Sequence, residues 1–237
     1  MGVLGLRERL VDVAWFIVRP SFAARPMSWR REFVTTWALL VTLTLLGLLL
    51  TVAMVGGVLG SSGVLPESTR DDTIGFRQVM VALVLAPLLE EAMWRGWLSG
   101  HRAALRFAAY GVAALGLLLS GVLAAPDFRK TLALVAVGVV FAGLIHWSLT
   151  RHRDATVPSW FFRHFHWLVW GSSMTFGLVH LGNFEALTHP LGVLVVAPLM
   201  LGGMLLAYTR TRLGLRAAMA HHAAYNAVLA GTAWAFG

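Results

Sequence analysis

The sequence contains no cysteine. That absence removes thiol nucleophiles, disulfides, thiolate-bound zinc and palmitoylation together. Charge is scarce as well: 13% of the 237 residues are Asp, Glu, Lys or Arg, 58% are hydrophobic, and mean hydropathy is +0.73. This composition argues against a soluble protein. Strands of about ten alternating residues do not recur, which sets aside a transmembrane barrel, and there is no internal repeat of the transporter kind. What recurs is the apolar run of about 18 residues or more, long enough to cross a bilayer as a helix.

These runs point to an all-α, polytopic transmembrane helical bundle. Its seven expected spans are 33–57, 76–99, 104–125, 131–149, 162–182, 190–208 and 216–236. Residues 1–32 read as a basic cytosolic or interfacial segment and 33–237 as the bundle. The stretch 10–18 is apolar but too short to cross, so it is expected to lie in the interface as an amphipathic helix. Its insertion would make an eighth span. No cleaved signal peptide is expected, because a signal would be shorter and would lead into a soluble domain. Connections between spans are short, and SSGVLPESTRDD reads as a polar loop by its turn residues. Its Gly60-Ser61-Ser62-Gly63 is read as linker rather than as a nucleophile motif.

The net charge of +8 is distributed as a topology signal. Arg7, Arg9, Arg19, Arg25, Arg30 and Arg31 precede the first span, and Arg102, Arg106, Arg151, Arg153, Arg163, Arg210, Arg212 and Arg216 fall on the same side. The opposite loops hold Glu67, Asp71, Asp72, Asp127 and Glu185, with Arg70, Arg77, Arg129 and Lys130 as their basic residues. The positive-inside rule therefore puts the N-terminus in the cytosol. Lipid attraction, rather than a nucleic-acid partner, accounts for the basic excess. The ten tryptophans fit interfacial aromatic belts. A short chain without targeting extensions is expected in a prokaryotic inner membrane.

Against this background the polar residues within spans stand out. Val81 to Leu98 reads VALVLAPLLEEAMWRGWL. A carboxylate near the bilayer centre costs roughly 2.5–3.5 kcal/mol even on the lenient insertion scale, so Glu90 and Glu91 together call for a reason. Neighbours on a helix point about 100° apart. Glu91 and Arg95 form an i,i+4 pair with the acid first, the favourable order, and Glu90 is left facing the interior. Out of water and without a close cation, such a carboxyl suits general-base work near neutral pH. Pro87 denies the Leu83 carbonyl its helical donor and is expected to kink the helix.

Two further stretches carry polar groups. In SSMTFGLVHLGN, Ser172 to Asn183, His180 lies near a span end with Phe176 one turn earlier; Ser172 and Ser173 read as helix-packing residues. In MAHHAAYNAVL, Met219 to Leu229, His222 and Asn226 share a face and His221 is turned away by about 100°. A histidine beside an amide supplies the directed donors that a developing oxyanion requires.

In chain order these residues spell EExxxR from Glu90 to Arg95, FxxxH from Phe176 to His180 and HxxxN from His222 to Asn226. Over roughly 76–236 the sequence resembles the CAAX-processing and bacteriocin-processing (CPBP, or Abi) family of intramembrane proteases. Trp94 stands where that family commonly has Phe, and the Asn226 spacing selects His222 over His221. The resemblance implies a bundle with an intramembrane polar cavity. There Glu90 and His180 would activate water, His222 and Asn226 would hold the oxyanion, and Glu91, Arg95 and Phe176 would support them. The implied partners are the lipid bilayer and a membrane-anchored or hydrophobic peptide or protein substrate. A metal-free glutamate mechanism with no cofactor is favoured; the alternative is zinc on Glu90, His180 and His222, without an HExxH motif. The competing non-catalytic reading is a bacteriocin-immunity factor or ion-coupled carrier built on the same polar network. Counting 1.5 Å per residue from the cytosolic span ends puts Glu90 ~15 Å, His180 ~25 Å and His222 ~9 Å deep, a spread that tilt, kinks or a displaced start to the fifth span must close if these residues form one site.

Overall fold

The computed structural model describes residues 5–23, 31–69, 75–123 and 125–236. Arg25, Arg30, Arg70, Asp71 and Asp72, used above for orientation, lie outside them. Among the described residues the α-helices are α1 (Leu6–Val18), α2 (Arg31–Leu59), α3 (Phe76–Met80), α4 (Ala86–Trp94), α5 (Arg102–Leu123), α6 (Pro126–Thr150), α7 (Ser159–Val179), α8 (Ala197–Leu213) and α9 (Leu215–Phe236). A π-helical turn, Val81–Leu85, joins α3 to α4, and 3-10 turns occupy Gly60–Ser62, Gly96–Ser99, His180–Asn183 and Pro190–Val196. No strand occurs among the described residues; a single antiparallel bridge, Ser68 to Phe184, ties two loops. The chain is an all-α membrane bundle.

Four helical stretches are long and apolar enough to cross a bilayer: Glu32–Ser62, Arg102–Gly121, Pro126–Thr150 and Pro190–Leu213. The other three expected spans, 76–99, 162–182 and 216–236, are those that carry EExxxR, FxxxH and HxxxN. Their polar residues dilute the hydropathy, and the first is also broken by the π-turn and by the 3-10 turn after Arg95. The Gly60-Ser61-Ser62-Gly63 stretch is an exposed 3-10 turn closed by the Ser62 hydroxyl donating to the Leu59 carbonyl at 2.6 Å.

The chain divides into two compact units, one made of residues 1–91 and 164–237 and the other of Ala92–Arg163. In the first, α8 is the core element, buried without interruption from Gly203 to Thr209. It packs against α1, α2 and α9, which explains why no single face of it is apolar. Helix α2 buries a stripe at helical spacing, Phe33, Thr36, Leu40 and Thr44, while Met54 and Val58 are 70% and 74% exposed. Polar threonines inward and bare aliphatics outward would be a liability in water; in lipid they are the stable arrangement. The hydroxyls of Thr44 and Thr209 donate to the carbonyls four residues back, Leu40 and Leu205, at 2.9 Å each.

Helix α7 approaches α8 at Gly177, where an added Cβ would run into Met200 Cγ and lie 3.3 Å from both the Met200 nitrogen and the Val196 carbonyl. At 13 residues, α1 is too short to cross a bilayer. It buries Val13 and Phe16 and leaves Leu6, Trp15 and Val18 exposed. The Tyr208 hydroxyl of α8 donates to Asp12 of α1 at 2.6 Å, and the Phe16 ring meets Tyr208 edge-on at 5.1 Å.

The second unit is built on the antiparallel pair α5 and α6. Gly143 allows their closest approach, since a Cβ there would sit 2.7 Å from the Tyr110 Cβ. One turn on, the Tyr110 hydroxyl meets His146 Nδ1 at 3.1 Å. The segment after α6 folds back onto the start of α5: the Arg102 amide donates to the Thr156 carbonyl at 3.1 Å, and Arg106 pairs with Asp154.

Candidate active site

The helix that carries the two glutamates is not regular. The Ala86 amide donates to the Val81 carbonyl, five residues back rather than four, so the helix is widened immediately before Pro87. In that register the donor due to the Ala82 carbonyl is residue 87, and proline has no N–H. The carbonyl deprived by Pro87 is thus Ala82's, one residue earlier than α-helical spacing indicates. Asn226 of α9 reaches across and donates Nδ2–H to it at 2.7 Å. Since a carbonyl oxygen only accepts, the amide nitrogen must be the partner.

Beyond Pro87 the same helix presents Glu90 and Glu91, and α9 meets them with His222. Glu91 is wholly buried, and His222 Nδ1 lies 2.9 Å from its Oε1. An ionised carboxylate only accepts, so the Nδ1 proton is committed to Glu91. The opposite nitrogen, Nε2, faces Glu90 Oε2 at 3.9 Å, beyond hydrogen-bond length. Glu90 Oε2 is buried and has no hydrogen-bond partner among the described residues. One imidazole therefore lies between two consecutive carboxylates.

Local spacing offered Arg95 as the partner of Glu91. The structure gives Glu91 a non-local partner, His222, 131 residues further along the chain. It also brings the Arg210 guanidinium of α8 within electrostatic reach of Glu91. Sequence reasoning assigned Arg210 to the cytosolic basic set, and no local signal distinguishes it there from Arg212 or Arg216. Arg95 is fully buried at the start of the 3-10 turn Gly96–Ser99.

His180 opens the 3-10 turn that ends α7, and its Nδ1 lies 2.7 Å from the Phe176 carbonyl. That bond requires the proton on Nδ1 and leaves the Nε2 lone pair available in the neutral ring. The buried Phe176 ring stands edge-on to His180 at 4.8 Å and to His222 at 6.2 Å. Two histidines that share one phenylalanine are not separated by the depth that counting from span ends gave. That count treats each helix separately, whereas packing between α7 and α9 sets the distance between the two rings. Glu90, Glu91, His222 and Asn226 are thus joined directly through α9, and His180 is joined to His222 through Phe176.

The neighbour of His222 has a different setting. His221 is fully buried, with Nδ1 2.9 Å from the Thr209 hydroxyl of α8 and Nε2 3.0 Å from the Thr44 hydroxyl of α2. The zinc alternative needs Glu90, His180 and His222 gathered around one point. Among the described residues no group of three His, Asp or Glu side chains is placed to hold a metal ion.

Residues 152–228 match the family model described as Type II CAAX prenyl endopeptidase Rce1-like. Over this stretch, about a third of the chain, the sequence is similar to that family. The Rce1-like region holds both FxxxH and HxxxN and agrees with the CPBP family that the three motifs indicate; EExxxR lies upstream of it. The match supports a membrane protease. Compared with curated proteins and with solved structures, the chain matches none.

Proposed function

We propose that the protein is an intramembrane endopeptidase of the CAAX-protease type, in which Glu90 is the general base. The observation that carries this reading is the placement of His222 between Glu91 at 2.9 Å and Glu90 at 3.9 Å, in a helix packing that also holds Asn226. Glu90 takes a proton from water while the His180 Nε2 lone pair orients that water. The hydroxide so formed attacks the scissile carbonyl carbon. His222 and Asn226 stabilise the resulting oxyanion; with Nδ1–H given to Glu91, donation from Nε2 requires the imidazolium, whose charge the Glu91 carboxylate balances while Glu90 holds the proton from water. Collapse of the intermediate breaks the C–N bond, and Glu90 returns its proton to the leaving amine. Glu91 orients His222 much as the acid of a hydrolytic triad orients its base. Arg95 and Arg210 balance the buried negative charge.

The substrate class follows from the site's location and from the family's description: a membrane-anchored or hydrophobic chain, with a prenylated CAAX tail as the first to test. The working topology has the N-terminus in the cytosol of a prokaryotic inner membrane. The test uses the full chain in lipid nanodiscs and an internally quenched, farnesylated CAAX peptide. Glu90→Gln is expected to lower kcat by about 10³-fold, in the range of general-base removal, with the protein still folded. Full turnover in that variant would refute the assignment. Turnover is also expected to survive a zinc chelator; loss on chelation, restored by zinc alone, would replace the carboxylate base by a metal-bound water.

A further inference from the structure

Helix α9 grips the glutamate-bearing helix on both sides of Pro87. Beyond the proline it holds Glu91 through His222, and before it holds the Ala82 carbonyl through Asn226. The second contact has a backbone cause that is independent of any reaction. The π-turn Val81–Leu85 shifts hydrogen bonding by one residue, so the Ala82 carbonyl is due an N–H from residue 87. Proline cannot supply it. In a membrane interior no bulk water is available to fill the gap, and an unmade backbone hydrogen bond is more costly there than in a soluble protein. The Asn226 amide at 2.7 Å supplies that donor.

We infer that Asn226 is a positioning residue, whose amide replaces the N–H that Pro87 lacks and thereby holds the π-turn that presents Glu90 and Glu91 to α9. A π-turn adds a residue to the helix and rotates everything beyond it by about 100° relative to a regular α-helix. Whether the turn persists therefore decides which carboxylate faces His222. An amide carries two N–H groups, so one can hold the turn while the other serves an oxyanion. The link to catalysis rests on the function proposed above; the link to the helix does not.

The test is a double-mutant cycle on the full chain in nanodiscs, made of Asn226→Ala, Pro87→Ala and the double variant, read by thermal unfolding and by turnover of the farnesylated peptide. Restoring an N–H at position 87 makes the asparagine dispensable to the helix. Asn226→Ala alone is expected to lower Tm by roughly 5 °C, and the same change in the Pro87→Ala background by about 1 °C. An equal loss in both backgrounds overturns the inference. Should Asn226→Ala fail to fold, recovery of folded protein in the double variant supports the inference and failure of both variants overturns it. Turnover separates the two readings. Restored stability with turnover still about 10²-fold down supports positioning together with an oxyanion role. Restored stability with restored turnover supports positioning and removes the oxyanion role.

Discussion

Helices α5 and α6 set a half-buried tyrosine against a half-buried histidine, Tyr110 to His146 at 3.1 Å, and approach closely at Gly143. Helix α9 buries two consecutive histidines, and they differ from that pair and from each other. His221 lies between two threonine hydroxyls, each of which also has a backbone carbonyl to bond. His222 lies between two carboxylates. In the hairpin and at His221 the ring nitrogens meet hydroxyl groups, so the contact serves packing. At His222 charge is concentrated where lipid makes it most unfavourable, and one carboxylate oxygen is buried without a hydrogen bond. Histidine in a membrane helix is therefore a poor functional marker, whereas histidine facing an unsatisfied acid is a good one.

The contrast can be broken by experiment. Glu90→Gln should have the largest effect, the ~10³-fold loss of kcat given above, with Tm nearly unchanged. His222→Ala should lower kcat by about 10²–10³-fold and also lower Tm, because Glu91 loses a hydrogen bond. Gly143→Ala drives a methyl into Tyr110 and should destabilise the chain by about 2 kcal/mol, visible as a lower unfolding midpoint. His221→Leu should cost about 1 kcal/mol of stability, with kcat held within about threefold, since both threonines keep their backbone acceptors. A kcat loss there equal to that of His222→Ala would erase the distinction between the two rings. Tyr110→Phe should be the smallest, about 0.6 kcal/mol, and a larger effect on turnover than on Tm would make the hairpin more than packing.

The all-α membrane architecture was legible because bilayer thickness sets helix length and the apolar runs are long. The motif residues were legible because charge in an apolar run needs a cause. Contacts that depend on the fold were not. Spacing along one helix pointed Glu91 to Arg95 and could not foresee His222 or Arg210, which arrive from α9 and α8. Proline at 87 was read as freeing the Leu83 carbonyl, correct for a regular helix, but the π-turn moves the gap to Ala82. The separation of His180 and His222 was misjudged because hydropathy counts along one helix at a time, whereas packing between helices brings both rings onto Phe176.

The crossing of α7 and α8 at Gly177 bears on how this sequence can change. Every single-nucleotide change that replaces glycine adds at least one heavy atom, and here that atom meets Met200 and the Val196 carbonyl. The methionine can be shortened by mutation; the backbone cannot move aside without taking α8 with it. His180 follows three residues later, so a step at position 177 alters the placement of the histidine as well as the packing. Replacement of this glycine is expected to be tolerated best once residue 200 has been shortened, so one missing methyl group makes the order of the two substitutions matter.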